Sequence, residues 1–211
     1  MRVSGKGLIN REKLVNFKFD GKDYKGFEGD TVASALLASG KKLFGRSFKY
    51  HRPRGVLTAG SEEPNALVTV GQGAFQDPNI RATTQEIFEG LITKSQNNWP
   101  NLHYDILSTN DLFSNFLGAG FYYKTFMWPK SFWEKLYEPF IRRAAGLGAL
   151  SGLHNSDTYE KAYTFCDLLI IGGGPSGLMA AKIAAEAGLD VIIVEQEPIF
   201  GGRLISEIEE V

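Results

Sequence analysis

Apolar and polar residues alternate along "LVNFKFDGKDYKGF" (residues 14–27), on both sides of an Asp20-Gly21 pair. A period of two belongs to a strand with one buried face. Asp-Gly between two such runs is the strongest short-range signal for a two-residue hairpin. That register sets Phe17 opposite Tyr24 and Lys18 opposite Asp23, both favourable cross-strand pairs. In "GDTVASALLASG" (29–40) the period lengthens. Val32, Ala35 and Leu36 fall at helical spacing, with Asp30 as the expected N-cap and Gly40 as the stop. A hairpin followed by a helix opens a β-grasp, ferredoxin-like α+β domain. "NALVTV" (65–70), "IRATTQEIF" (80–88) and "GLITKSQ" (90–96) read as further short strands between Gly, Pro, Asn and Asp punctuation. The domain closes at about Gln96, and residues 1–100 are assigned to it.

The pattern changes in "DLFSNFLGAGFYYKTFMWPKSFWEKLYEPF" (111–140), which crowds Phe113, Phe116, Phe121, Tyr122, Tyr123, Phe126, Trp128, Phe132, Trp133, Tyr137 and Phe140 together. Its Gly and Pro positions exclude one long helix. Residues 101–163 are read as an aromatic-rich connector. A segment this apolar must be covered, either between two domains of the chain or against another subunit, since aromatics are enriched at interface cores.

A third pattern runs through "CDLLIIGGGPSGLMAAKIAAEAGLDVIIVEQ" (166–196). The apolar run Leu168–Ile171 predicts a strand buried on both faces. Gly172, Gly174 and Gly177 then fit G-x-G-x-x-G, followed by an alanine-rich helix that Gly188 ends and a second apolar strand, Val191–Val194, leading to Glu195. In a dinucleotide site the first glycine permits the tight turn, the second admits the pyrophosphate to the backbone, and the third lets helix and strand pack closely. The helix N-terminus faces the phosphates with free N–H groups. Glu195 stands where an acid accepts hydrogen bonds from ribose hydroxyls, and its charge disfavours a 2′-phosphate, hence NADP. The motif alone is weak; strand, helix, second strand and acid together are the full context. "EPIFGGRL" adds Gly201, Gly202 and Arg203, a pattern typical of FAD/NAD-linked flavoproteins. Residues 164–211 are therefore read as the start of a Rossmann-like FAD/NAD-binding domain. Two strands and one helix leave a doubly wound sheet incomplete, so a longer protein is expected.

Composition narrows the function classes. The chain has 211 residues, 43% hydrophobic, and a net charge of -1. That balance argues against a dedicated nucleic-acid domain, although "FGRSFKYHRPRG" (44–55) gathers Arg46, Lys49, His51, Arg52 and Arg54 without one acid. An isolated basic loop on a neutral chain reads as an ion-paired surface. Cys166 is the only cysteine, which excludes an internal disulfide and a Cys-rich metal site; the three histidines have no ligand spacing. The N-terminus lacks the apolar core of a signal peptide, and no run approaches the roughly 20 apolar residues of a membrane helix. The expectation is a cytoplasmic protein with neither nucleic acid nor membrane as partner. The sequence offers no acid–base pair, so no catalytic residue is assigned.

"GDTVASALLASG", "GRSFKYHRPRGVLTAGSEEPNALV", "SQNNWP", "GAGFYYKTFMWP", "WEKLYEPFIRRAAGLG" and "CDLLIIGGGPSGLMAA" together resemble the N-terminal part of the alpha subunits of heterotetrameric sarcosine oxidases, from about Gly7 to Leu204. The resemblance implies a β-grasp domain followed by a nucleotide-binding domain that holds NAD. Gly172, Gly174, Pro175, Ser176 and Gly177 would line the pyrophosphate, and Glu195 and Gln196 would meet the adenosine ribose, with Gly202 and Arg203 near by. It implies beta, gamma and delta subunits as partners, with FAD and FMN in the wider complex, which demethylates sarcosine to glycine. The family's folate domain is missing, so little activity is expected of this chain by itself. Related oxidases hold an iron–sulfur cluster in the β-grasp domain through cysteines. That region has none here, which implies a structural module whose basic loop packs against the nucleotide-binding domain or a neighbouring subunit. Two alternatives remain: an FAD-binding subunit of a related amine or opine dehydrogenase, and a non-catalytic docking fragment.

Overall fold

In the computed structural model, which describes residues 2, 9–115, 117–120, 124, 128–144, 148–197 and 199–206, the opening alternation becomes a hairpin. Strand β1 (Asn10–Phe19) pairs antiparallel with β2 (Lys22–Glu28). Phe17 lies opposite Tyr24 and Lys18 opposite Asp23, as the pattern predicts. Asp20 and Gly21 both have positive φ, 50° and 74°. This is the primed turn that matches the twist of the flanking strands. Val15, Phe17 and Phe19 point inward while their neighbours are exposed.

Helix α1 (Val32–Ala38) lays Val32, Ala33, Ala35 and Leu36 on this face. Its N-cap is Thr31, not Asp30. Thr31 and Ser34 form a reciprocal capping box, the Thr31 side chain accepting from the Ser34 N–H and the Ser34 Oγ accepting from the Thr31 N–H. Asp30 turns inward instead, where its carboxylate accepts from the Phe27 N–H at 2.8 Å, the Ser34 Oγ at 2.7 Å and the Arg2 guanidinium at 2.5 and 2.7 Å.

Strands β3 (Gly45–Arg46) and β4 (Pro53–Arg54) make a small ribbon of their own. Strands β5 (Leu67–Val70), β6 (Asp77–Arg81) and β7 (Leu91–Ser95) complete a five-stranded sheet in the order β2-β1-β7-β5-β6. The central β1–β7 pairing is parallel and the others are antiparallel. This mixed sheet crossed by one helix is a β-grasp. "IRATTQEIF" is strand only as far as Arg81. Beyond it Thr84 and Gln85 fold back on the Arg81 carbonyl, and the carbonyls of Ala82 and Gln85 accept the N–H groups of Ala33 and Val32. A helix leaves those first-turn donors without internal partners, so the segment satisfies α1 rather than extending the sheet. Gly26 is where β2 passes under α1: a Cβ there would lie 2.9 Å from the Ala35 Cβ and collide with Ile87. Gly26→Ala is expected to cost about 1–3 kcal/mol through overpacking, read as a lowered urea midpoint with an unchanged slope.

The basic stretch is spent inside this unit. Arg46 donates to the carbonyls of His51, Leu102 and His103, Arg52 pairs with Asp111 at 2.6 Å, Lys49 donates to the Gly118 carbonyl, and the Tyr50 hydroxyl to that of Leu117. His51 is buried against Asp105, Nδ1 to Oδ2 2.7 Å. The loop therefore packs on residues 102–111 and on Leu117 and Gly118, at the start of the connector. Of the connector aromatics, Phe116, Phe121, Tyr122, Tyr123 and Phe126 lie outside the described residues, while Trp128, Phe132 and Phe140 are exposed. A short helix α2 (Glu138–Ala144) follows.

The chain divides into two units, Met1–Leu57 with Glu63–Asn155, and Thr58–Glu62 with Ser156–Val211. In the second, β8 (Leu168–Ile171) runs parallel to β9 (Val191–Val194), from Leu168 beside Val191 to Ile171 beside Val194, with helix α3 (Pro175–Glu186) between them in sequence. The expected burial of β8 on both faces does not hold. Among the described residues α3 covers one face, and Leu169 and Ile171 on the other are 54% and 83% exposed.

Candidate dinucleotide site

The second unit builds its candidate site where β8 gives way to α3. Gly172 has φ +105°, a turn that glycine alone makes without strain. Gly174 is the N-cap of α3; it supplies no side-chain cap, and Pro175 begins the helix. Pro175 has no N–H to leave unpaired, so the donors offered at this end come from Ser176 onward. A Cβ on Gly174 would meet no atom within 4 Å, whereas one on Gly177 would collide with the Gly172 carbonyl oxygen and lie 3.3 Å from Ile170. The first position is a cradle open to a ligand. The second is a close packing of helix on strand. The close packing at Gly177 is the task that the motif's spacing predicts for its third glycine, and the space at Gly174 is open.

Glu195, just past β9, is turned onto this loop. Its carboxylate accepts from the N–H groups of Gly173 at 2.5 Å, Gln196 at 2.7 Å and Glu197 at 3.1 Å. The donors at Glu197 and Gly173, with Gln196 adding less, hold its carboxyl below the usual carboxylate range despite an opposing desolvation effect. Glu195 is thus an anionic acceptor beside the glycine loop at neutral pH. Gln196 is tied to it through the backbone, with its own side chain exposed.

The turn Gly202–Ser206 comes back to the same place. The Gly201 N–H donates to the Gly173 carbonyl at 2.8 Å, and a Cβ on Gly202 would lie 3.3 Å from the Gly174 Cα. Gly172, Gly174, Pro175, Gly177, Glu195 and Gly202 are therefore brought together. Ser176 is exposed on the first turn of α3, and Arg203 lies on the Gly202–Ser206 turn with its side chain 65% exposed. Gly173 joins the site unannounced by the motif: its N–H and carbonyl tie Glu195 and Gly201 to the loop, and a side chain there would strike the Phe200 ring. These are contacts across more than twenty residues of chain, and local spacing does not encode them. Among the described residues no group of three or more His, Cys, Asp or Glu side chains is arranged to hold a metal ion, and no helix is long and apolar enough to cross a membrane.

Known proteins match both units. Residues 12–98 fit the family model of a 2Fe-2S iron-sulfur cluster binding domain, and residues 167–209 that of an FAD dependent oxidoreductase. The chain is 60% identical over 206 residues to the sarcosine oxidase subunit alpha of Rhizobium meliloti (strain 1021), covering 98% of this chain and 21% of that one. To the subunit of the same name from Corynebacterium sp. (strain U-96) it is 31% identical over 199 residues, 93% of this chain and 16% of that one. The chain thus spans between about one sixth and one fifth of the length of these relatives. Among solved structures, the L-proline dehydrogenase from P. horikoshii matches with a TM-score of 0.44 and 19% identity, over 92% of this chain and 27% of that one.

Proposed function

This chain being a homologue of sarcosine oxidase subunit alpha along nearly all of its residues, we propose that it serves as part of a sarcosine-oxidase-like flavoenzyme complex and that its second unit binds NAD. In this reading Gly172, Gly174, Pro175, Ser176 and Gly177 hold the pyrophosphate, Glu195 and Gln196 take the adenosine ribose, and Gly202 and Arg203 close the near side. Beta, gamma and delta subunits are the partners. Sarcosine and oxygen would be converted there to glycine, a one-carbon unit and peroxide; FAD and FMN carried by the wider complex would supply the redox chemistry, FAD taking the electrons from the amine and passing them to FMN. The observation that carries the nucleotide reading is the open cradle at Gly174 beside the anionic Glu195. Backbone donors at a helix start meet phosphate, and a carboxylate acceptor meets hydroxyl donors.

A second reading, FAD in the glycine-motif site, is favoured by the match of residues 167–209 to an FAD dependent oxidoreductase model. Both dinucleotides share the adenosine diphosphate half that these residues address. Co-expression with neighbouring subunit genes, purification through a tag on this chain and mass analysis of acid-released nucleotide separates the two. NAD among the released nucleotides supports the first reading, FAD without NAD replaces it with the second, and neither dinucleotide overturns both.

Glu195→Gln keeps the shape and removes the charge. It is expected to weaken binding of the released nucleotide by about tenfold, the effect of one charge-assisted hydrogen bond, measured by titration calorimetry. Unchanged affinity would take Glu195 out of the ribose site.

A further inference from the structure

The family model that fits residues 12–98 is that of a cluster-binding domain. Iron–sulfur clusters are held chiefly by Cys thiolates, and the one cysteine of the chain, Cys166, lies outside that span. The residues present do not fit a cluster. Cluster sites share a second ingredient with phosphate sites, a turn whose backbone N–H groups converge on negative charge. That ingredient is here. Glu63 is 1% exposed, as buried as the core phenylalanines. Its Oε2 accepts from the Leu57 N–H at 2.7 Å, and its Oε1 accepts from the N–H groups of Asn65 at 2.7 Å and Ala66 at 3.1 Å. A carboxylate enters an interior only when its lone pairs are met by donors, and this turn supplies them from both sides of Glu63.

We propose that the backbone N–H groups of Leu57, Asn65 and Ala66 form an anion nest and that the Glu63 carboxylate is its resident anion. The first unit then carries the anion for its own backbone donors and holds them in place without iron. Neighbouring small residues support this geometry. Ala66 and Ala82 are fully buried, and the Ala82 N–H donates to the Ala66 carbonyl at 2.8 Å, so the turn is anchored to the end of β6. The nest's ligand class follows from its donors: backbone N–H groups at hydrogen-bond distance suit a small carboxylate.

The test uses the full chain with Glu63→Ala, which empties the nest, and Glu63→Gln, which keeps its shape without charge. Amide hydrogen exchange is followed at Leu57, Asn65 and Ala66. In wild type these amides are protected. In Glu63→Ala their exchange rises about tenfold or more, the effect of hydrogen bonds to a charged group, and sodium formate restores protection while formamide, its neutral counterpart, does not. Equal rescue by both, or no change on substitution, would mean that packing rather than charge orders the loop and would overturn the proposal. Should Glu63→Ala fail to fold, Glu63→Gln decides: faster exchange at these three amides supports the nest, and wild-type protection sinks it. Stoichiometric iron in anaerobically purified wild-type chain would overturn it independently.

Discussion

Gly177→Ala is expected to cost the second unit most of the dinucleotide affinity proposed for it. The added Cβ would overlap the Gly172 carbonyl oxygen and press on Ile170 at 3.3 Å. Both belong to the end of β8 and the turn that leaves it, so no flexible side chain can swing aside. The start of α3 must lift off the strand, carrying the donors at Ser176 and beyond out of line with Glu195. Overpacking of this kind costs about 1–3 kcal/mol, and loss of aligned phosphate donors adds to it. The expected result is at least a hundredfold fall in affinity, roughly 3 kcal/mol, by equilibrium dialysis with whichever dinucleotide the wild-type chain releases. Gly174→Ala is the informative companion: its Cβ meets nothing within 4 Å, so the unit keeps its far-ultraviolet dichroism and loses affinity only through contact with the ligand. Wild-type affinity in the Gly177 variant would remove this loop from the site.

Asp30→Ala is the substitution expected to damage the first unit most. It leaves the Phe27 N–H, the Ser34 hydroxyl and the Arg2 guanidinium without their shared acceptor. Removing one partner from a buried ion pair costs about 3–5 kcal/mol, a large share of any domain's stability. The effect has a pH signature. Burial raises the carboxyl's pKa, but the donors from Arg2, Phe27 and Ser34 together outweigh it, and the net shift is downward. A depressed folded-state value means the carboxylate's contribution is complete above the unfolded value, about 3.9, and is lost as pH falls through the folded one. Denaturant curves should therefore show a gap between wild type and Asp30→Asn that is constant near neutrality and narrows only below about pH 4. A gap independent of pH down to 2 would mean that the carboxyl's charge is not what it contributes.

What the sequence makes legible here is whatever one element decides by itself. The Phe17–Tyr24 register follows from a period of two and an Asp-Gly turn, and the turn at Gly172 and the close packing at Gly177 follow from strand, turn and helix in order. Asp30 was expected to cap α1 because an acid preceding an apolar helical run commonly does. Thr31 takes that role because Asp30 is drawn inward by Arg2, twenty-eight residues away in sequence. "IRATTQEIF" reads as strand by propensity, yet its second half is claimed by the open N–H groups of α1. The same holds for the basic stretch, whose partners Leu102, His103, Asp111 and Gly118 lie far along the chain. Glu63 looks like one more surface acid until the fold wraps backbone donors around it. The apolar run of β8 reports only that cover is wanted, not which layer supplies it.

The parallel pairing of β1 with β7 sets the order in which the first unit can be made. The β1–β2 hairpin and α1 are near neighbours and can form as soon as they are synthesised. The Thr93 hydroxyl that bonds the Lys18 carbonyl arrives 75 residues later. At about 5–20 residues per second, the nascent hairpin waits several seconds on the ribosome with Phe17 and Phe19 uncovered on their β7 side. Closing so long a loop also slows the final step relative to a helical domain of equal size. During that interval the free edge of β1 is open to any extended segment that reaches it first.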